Sequence, residues 1–318
     1  MRFLRFFTAE GDAHLGLRHE GRVLDMTLAT RRLLSKDIVS FREFMPGESV
    51  GPDQLAAMLE DIAGAETLQR EVLKDPDAIR LDAPLRDVRK LLALAGNYHK
   101  HIVESGFKDV DETSRVTPQV FMKPPSTCIN APGEPVFIRR ANVFVDWEVE
   151  LAVIIGRRGR DISREGAMEH AFGYTVLNDV SEREFNGRMA DRNIREFDPF
   201  FDWLIGKWFD GSCPLGPEVV TTEEIRDPHG LAIRLWVNGQ LMQDSNTAQM
   251  IFDIPTTISY VSQVLTLEPG DIIAMGTPAG VGKGRGICLK PGDVMRGEIE
   301  GIGVLETPIL LDEGIGEQ

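Results

Sequence analysis

From Lys90 onward, the sequence is a succession of short apolar runs that Gly and Pro residues separate. These runs are rich in Val and Ile, and such runs bounded by turn residues are typical of β-strands. They lie at residues 91–95, 148–155, 172–177, 233–237, 272–275 and 299–305. In this part of the chain, convincing helical spacing occurs at residues 164–171 and 256–265. The pattern therefore predicts a β-rich α+β fold and not alternating βαβ units.

The first 82 residues have a different pattern. Residues 1–7 and 15–17 are apolar and flank a turn that contains Gly and Asp, which predicts a hairpin. Residues 51–73 have apolar side chains at helical spacing, and this periodicity breaks around Pro84. We therefore expect a small N-terminal α+β domain at residues 1–82 and a larger domain at residues 83–318.

The charge of the chain restricts its partners. Asp and Glu number 50 against 35 Lys and Arg, which gives a formal net charge of −15. Such a surface repels nucleic acid and anionic membranes, so an anionic substrate needs a local group of cations. Three isolated cysteines and the short apolar N-terminal run lead us to expect a cytoplasmic protein with reduced thiols.

The run after Asp146 carries two glutamates within an apolar strand. Because strand side chains alternate between faces, Trp147 and Val149 share one face, while Glu148 and Glu150 share the other. Two neighbouring carboxylates are costly to bury unless a divalent cation binds both of them. A half-exposed strand with a solvated charged face is an equally good interpretation of this segment alone.

Asp179 changes that balance. The apolar run at residues 172–177 ends in Asn178 and Asp179. An aspartate at that strand end, near Glu148 and Glu150, would complete a site of three carboxylates for a hard metal ion. Taken alone, Asp179 fits the commoner role of a helix N-cap or turn residue.

His101 and Glu104 are three residues apart, so in a helical turn they face the same side. A carboxylate beside an imidazole raises its basicity and fixes its orientation, as a general base requires. Taken alone, an exposed surface pair is the better interpretation.

Together, these segments resemble the fumarylacetoacetate hydrolase superfamily. The matching segments are residues 97–104 (NYHKHIVE), 121–124 (FMKP), 146–151 (DWEVEL), 173–183 (GYTVLNDVSER), 206–210 (GKWFD), 237–239 (VNG), 275–282 (MGTPAGVG) and 289–303 (LKPGDVMRGEIEGIG). The resemblance implies a mixed β-roll catalytic domain that forms homodimers. It also implies Mg²⁺ or Mn²⁺, with Ca²⁺ as an alternative, on Glu148, Glu150 and Asp179.

The resemblance assigns further roles by position. It places His101 and Glu104 on a short mobile lid as the catalytic pair. It assigns substrate binding to Tyr98, Lys123, Arg183, Lys207 and Thr277. The sequence departs from the family at Asn186, where many relatives have Gln, and in a charged and aromatic segment at residues 188–203.

These roles predict hydrolysis of a carbon–carbon bond in a small acidic β-diketo compound, such as an acylpyruvate or fumarylpyruvate. The departing fragment would be an enolate held by the metal ion, in aromatic or sugar-acid catabolism. The same enolate serves an isomerase or decarboxylase of 2-hydroxymuconate-like or oxaloacetate-like acids, and a 2-keto-3-deoxy acid dehydratase. A ligand-binding domain without turnover is the non-enzymatic alternative.

Overall fold

The computed structural model describes residues 1–106, 116–139, 144–184 and 191–313, so Asn186 and Arg188 lie outside the described residues. The strands are β1 (Arg2–Phe7), β2 (Ala13–His19), β3 (Arg22–Asp25), β4 (Leu73–Lys74), β5 (Arg80–Asp82), β6 (Leu91–Ala95), β7 (Gln119–Lys123), β8 (Ile129–Asn130), β9 (Val136–Arg139), β10 (Val145–Asp146), β11 (Val149–Ile155), β12 (Ala171–Asn178), β13 (Ser181–Glu182), β14 (Cys213–Thr221), β15 (Ala232–Val237), β16 (Gln240–Asn246), β17 (Ile272–Ala274), β18 (Val294–Ile299) and β19 (Gly303–Asp312). The α-helices are α1 (Met26–Leu34), α2 (Pro52–Gly64), α3 (Glu66–Val72), α4 (His99–Glu104), α5 (Pro125–Cys128), α6 (Asp198–Ile205), α7 (Ile254–Val264) and α8 (Gly282–Arg285).

The strands form two main sheets. The larger sheet has 12 strands along the path β4-β3-β2-β1-β14-β12-β11-β17-β6-β7, with β5 beside β1 and β8 beside β14. The smaller sheet has five strands in the order β16-β15-β18-β19-β9, and β10 pairs with β13. This β-rich α+β architecture confirms the predicted fold class.

Both faces of the larger sheet are covered, which explains why the side chains of β11 are apolar apart from that of Glu150. Val149, Leu151 and Val153 pack into the same apolar cluster as Ile233 and Leu235 of the smaller sheet. The opposite face packs against the N-terminal helices in a second cluster. A strand buried on both faces has no solvated side, and all seven residues of β11 are buried.

The N-terminal residues continue the larger sheet. The hairpin of β1 and β2 confirms the prediction, and Phe3 of β1 pairs with Val219 of β14. The Phe3 ring also contacts the rings of Phe41 and Phe172, so residues from both sides of the expected boundary share one core. The division into two domains stays a prediction.

Three predicted elements differ from the structure. The helix expected at residues 51–73 is interrupted by the extended residue Ala65. Residues 164–170 form a turn and a single 3₁₀ helix, Ala167–His170, and Ala171 already begins β12, because the segment is short and contains Gly166. Residues 299–305 contain the turn between β18 and β19, where Gly301 has a φ of 73°.

The helix predicted at residues 256–265 is confirmed as α7. It begins after Asp253, whose side chain accepts a hydrogen bond from the Thr256 N–H. This N-cap satisfies a backbone donor that would otherwise lack a partner in the first helical turn. In the part of the chain that the structure describes, no helix combines the length and apolar character that crossing a membrane requires.

Candidate metal and acid–base site

Three carboxylates meet where β11 begins and β12 ends. Val149 pairs with Asn178 across these antiparallel strands, and the Asp179 N–H donates to the Glu148 carbonyl at 2.8 Å. This pairing brings Asp179 to the two glutamates. One oxygen from each of Glu148, Glu150 and Asp179 lies within 4.8 Å of the others, and all three side chains are buried.

The two alternative interpretations of these carboxylates are wrong. β11 lies between β12 and β17, so Glu148 and Glu150 are not on a solvated edge strand. Asp179 accepts hydrogen bonds from two ammonium groups instead of capping a helix. The alternation inferred from the sequence therefore places the glutamates correctly, with Trp147 and Val149 in the apolar cluster opposite.

Three cations surround the carboxylates. Lys207 Nζ lies 2.7 Å from Glu148 Oε2 and 2.6 Å from Asp179 Oδ2. Lys123 Nζ lies 2.7 Å from Asp179 Oδ1. Arg183 contacts Glu148 through Nη2, and its Nε donates to Asp146 Oδ2 at 2.9 Å. The three cations thus form a local group within a chain whose net charge is −15, and each of them is paired with a carboxylate.

The two glutamates differ in their electrostatic environment. Burial raises the pKa of Glu148, but the charges of Arg183 and Lys207 more than offset it and hold that pKa well below its usual range. Burial raises the pKa of Glu150 well above its usual range, and the neighbouring carboxylates of Asp179 and Glu148 raise it further. As an anion, Glu150 therefore lacks sufficient compensating charge.

These residues fit a divalent cation. The Glu150 carboxylate accepts a hydrogen bond from the Gly276 N–H, at 2.8 Å. The buried Tyr98 hydroxyl has no partner among the residues that the structure describes. Four carboxylates, those of Asp146, Glu148, Glu150 and Asp179, stand against three cations. A hard cation with oxygen ligands supplies the missing positive charge.

His101 and Glu104 lie together on α4. His101 Nδ1 is 3.5 Å from Glu104 Oε2, and the side chains are only 12% and 20% exposed. Glu104 Oε2 also accepts a hydrogen bond from the Gly280 N–H at 2.9 Å. Burial raises the pKa of Glu104, but the neighbouring His101 imidazole and the hydrogen bond from the Gly280 N–H more than offset it and lower that pKa, so the carboxylate is an anion. The His101–Glu104 pair is therefore half-buried, so the alternative interpretation of an exposed surface pair is wrong.

Two residues with predicted substrate contacts have their polar groups engaged by the protein. The Thr277 hydroxyl donates to the Val149 carbonyl at 2.9 Å and accepts from Gln243 Nε2 at 2.8 Å. Lys123 has no exposed surface, and its ammonium also donates to the Val180 carbonyl at 3.3 Å. Substrate binding by Thr277 and Lys123, and by Tyr98, Arg183 and Lys207, stays a prediction.

Sequence reasoning missed two residues that shape the site. Gln243 of β16 accepts from the Val149 N–H and donates to the Pro278 carbonyl, so it joins β11 to the loop after β17. Asp146 binds both Arg183 and the Gly282 N–H. Asp146 lies two residues before Glu148, and this position could have indicated a role in the site. The sequence around Gln243 gives no such indication.

The sequence model of the family described as fumarylacetoacetate (FAA) hydrolase C-terminal matches residues 90–310. This match covers more than half of the chain and includes every residue of the site described above. The chain belongs to this family. The resemblance inferred from the eight sequence segments is thereby confirmed.

Two relatives and one solved structure illustrate the range of the family. Mitochondrial oxaloacetate tautomerase fahd2 of Xenopus laevis is 35% identical over 316 residues, which covers 98% of this chain and 90% of the relative. The 2,4-didehydro-3-deoxy-L-rhamnonate hydrolase of Sphingomonas sp. strain SKA58 is 40% identical over 242 residues, 75% of this chain and 79% of the relative. Maleylpyruvate hydrolase of Sphingobium sp. SYK-6, solved with manganese(II) ion and pyruvate, has a TM-score of 0.68 and 28% identity over 98% of this chain and all of that chain.

These relatives support an enzyme for this chain, in a family whose members are named as hydrolases and tautomerases. The manganese complex of the maleylpyruvate hydrolase and the three buried carboxylates both support a divalent metal ion.

Proposed function

We propose that this chain is a divalent-metal-dependent enzyme that enolises a small 2-oxo acid, and that oxaloacetate is its substrate. The observation that carries the proposal is the buried group of Glu148, Glu150 and Asp179. Oxaloacetate is supported by the tautomerase relative, which aligns with 98% of this chain. Keto–enol exchange at carbon 3 of oxaloacetate needs no more than charge stabilisation and one group that moves a proton.

Glu148, Glu150 and Asp179 would hold the cation, Mg²⁺ or Mn²⁺. When bound, the cation would attract the adjacent carboxylate and keto oxygens of the 2-oxo acid and stabilise negative charge on the keto oxygen. Lys207 adds a positive charge between Glu148 and Asp179, in a buried position where charges interact strongly. A cation held by the three carboxylates would thus stabilise the enolate together with the positive charge of Lys207.

We assign the proton transfer to His101. Its Nδ1 faces the Glu104 carboxylate, so Nε2 is the nitrogen that takes a proton from carbon 3 or returns one. Glu104 keeps its negative charge because its pKa is lowered, and it therefore stabilises the imidazolium that forms. The Gly280 N–H fixes the direction from which Glu104 approaches.

Hydrolysis of an acylpyruvate is the second candidate. The His101–Glu104 pair favours it, because an imidazole beside a carboxylate can activate water for attack on the carbonyl beyond the scissile bond. The sequence alone ranks this hydrolysis first. The tautomerase match over nearly the whole chain leads us to place enolisation first, whereas the rhamnonate hydrolase match covers 75%.

The experiment adds the enol form of oxaloacetate to the purified protein with Mg²⁺ or Mn²⁺ and follows loss of enol absorbance. A protein-free mixture with the same metal gives the uncatalysed rate. Total oxaloacetate is measured separately, because a tautomerase leaves it unchanged and a decarboxylase converts it to pyruvate. An acylpyruvate is tested in parallel for release of pyruvate.

Enol loss at the protein-free rate, without cleavage of the acylpyruvate, would refute both candidates. Unsaturated dicarboxylates and 2-keto-3-deoxy acids then test the isomerase and the dehydratase. A protein that binds Mn²⁺ and oxalate but converts none of these compounds is the ligand-binding alternative.

We also propose a cytoplasmic homodimer, as the resemblance and the composition lead us to expect. The residues around α6 expose apolar side chains, with Phe197 68% and Phe200 55% exposed, and such surfaces often lie in interfaces. Light scattering at micromolar concentration tests the dimer, since a mass of 35.4 kDa would identify a monomer.

A further inference from the structure

Asp146 lies between the two halves of the site. Its carboxylate has no exposed surface. Oδ2 accepts from Arg183 Nε at 2.9 Å and from the Lys283 N–H at 3.1 Å, and Oδ1 accepts from the Gly282 N–H at 2.6 Å. A buried carboxylate with this many donors is held in one orientation, because losing any donor leaves a charged acceptor unsatisfied.

On one side, Asp146 reaches the metal-ligating carboxylates through Arg183. The guanidinium donates from Nε to Asp146 and from Nη2 to Glu148. Because the guanidinium is planar and rigid, the two carboxylates fix its position together. Arg183 is 10% exposed, so this arrangement is largely closed to solvent.

On the other side, Asp146 holds the glycine-rich segment, which we define as residues 276–286. The same segment carries the Gly280 N–H that binds Glu104. Trp147 Nε1 donates to the Gly280 carbonyl at 3.1 Å and provides a second tie to the residues around Asp146. A Cβ on Gly282 would lie 2.6 Å from Asp146 Oδ1, so this close approach requires glycine.

Gln243 holds the start of the glycine-rich segment independently. It bonds to the Thr277 hydroxyl and the Pro278 carbonyl, and it accepts from the Val149 N–H. Loss of Asp146 therefore removes the bonds of the Gly282 and Lys283 N–H groups and loosens the middle of the segment, at residues 280–283, while its start stays fixed. The middle is the part that contacts Glu104.

We propose that Asp146 is a positioning residue that fixes the glycine-rich segment, and through it Glu104 and His101, relative to Glu148, Glu150 and Asp179. The proposal rests on the proposed function, because it requires that His101 moves the proton. Asp146 acts through other residues and does not contact the substrate. Its loss should therefore slow the proton transfer without weakening metal binding.

The test compares Asp146→Asn with the wild type. The amide keeps an oxygen for the Gly282 N–H but removes the charge and the second acceptor oxygen. We expect kcat to fall by about tenfold or more, as for a displaced general base. Arg183 keeps its contact with Glu148, so the KM and the Mn²⁺ dissociation constant should change by much less than kcat. Hydrogen exchange at residues 280–283 should become faster.

Asp293→Asn is the matched control. Asp293 also accepts from the Lys290 N–H and from the Asn238 side chain, but it lies on the turn directly before β18. This variant should keep the wild-type kcat, Mn²⁺ affinity and exchange rates. If Asp146→Asn does not fold, Trp147→Phe takes its place. It removes the bond to the Gly280 carbonyl together with part of a buried ring that packs beside Gly282, and it should change kcat and exchange in the same direction.

Wild-type kcat and wild-type exchange in Asp146→Asn would overturn the proposal, as would the same result in Trp147→Phe. A fall in Mn²⁺ affinity that matches the fall in kcat would also overturn it, because Asp146 would then act only through Arg183 and Glu148. Hydrogen exchange needs no substrate. Failure of the positioning role is therefore distinct from failure of the proposed function, which shows as an inactive wild type.

Discussion

Lys207 places its ammonium between Glu148 and Asp179, with Nζ 2.7 Å from one carboxylate oxygen and 2.6 Å from the other. Both carboxylates belong to the group that fits a divalent cation. The ammonium and the cation therefore draw on the same negative charge and repel each other. We therefore expect Lys207 to weaken metal binding, and under the proposed function it adds a fixed positive charge beside the substrate.

Lys207→Met should bind Mn²⁺ more tightly and lose activity. Two cations about 4 Å apart repel by several kcal/mol at an effective dielectric constant of about 20, so removing one should raise the affinity by about tenfold or more. Calorimetric titration with Mn²⁺ measures the affinity, and the enol assay measures the activity.

Lys90→Met is the control for this prediction. Lys90 also bridges two carboxylates, those of Glu268 and Asp271, but it is remote from the three metal-binding residues. Its loss should leave the Mn²⁺ affinity unchanged. Weaker Mn²⁺ binding in Lys207→Met would show that the ammonium organises the carboxylates instead of competing with the ion.

Glu150 should make the metal-free protein less stable as the pH rises. Its pKa in the folded protein is raised well above the ordinary value of 4.5, so the folded state binds the proton more tightly than the unfolded state. Above pH 4.5, unfolding then releases a proton, and the free energy of unfolding falls with increasing pH. Glu148 has a lowered pKa, so it affects stability only below pH 4.5. In that range its contribution to the free energy of unfolding is lost as the pH falls.

Glu150→Gln should remove this fall in stability. Urea unfolding in the presence of a chelator measures the free energy of unfolding. It is carried out at several pH values between about 5 and 7, which lie above the ordinary pKa of a carboxyl group. The variant should be more stable than the wild type at the upper end, and Mn²⁺ should stabilise it less. Glu60→Gln, an exposed change on α2, should keep the wild-type slope. Equal slopes for Glu150→Gln and the wild type would contradict the prediction.

The metal-binding carboxylates could be predicted because local geometry determines where they point. Alternation along residues 147–150, at the start of β11, places Glu148 and Glu150 on one face, and the antiparallel pairing with β12 brings Asp179 to them. The turn between β18 and β19 was missed for the opposite reason. Its apolar residues continue the strand pattern, while the positive φ of Gly301 is a property of the folded backbone.

The supporting contacts depend on residues far apart in the sequence, which no spacing rule relates. Gln243 approaches Thr277 only because β16 belongs to the smaller sheet, which packs against β11. Glu104 meets the Gly280 N–H across an interval of 176 residues. Such contacts follow from tertiary packing and could not be inferred from the chain alone.

The last prediction concerns His101. If His101 moves the proton, His101→Ala should reduce enolisation by about a hundredfold or more, as for a positioned general base. Mn²⁺ and oxalate should still bind as in the wild type, because Glu148, Glu150 and Asp179 are intact. Glu104→Gln should also reduce the enolisation rate, but by less than His101→Ala. The amide keeps a side chain near His101 Nδ1 but lacks the negative charge that stabilises the imidazolium.

The variants also separate the two candidate reactions. Hydrolysis requires that water be activated, so loss of acylpyruvate cleavage together with retained enolisation in His101→Ala would assign His101 to water alone. Loss of both activities with binding retained supports His101 as the general base for each reaction. His229→Ala is the control. His229 accepts a hydrogen bond from the Ile254 N–H at the start of α7, so its replacement should not change either rate. Wild-type rates in His101→Ala would show that another group moves the proton.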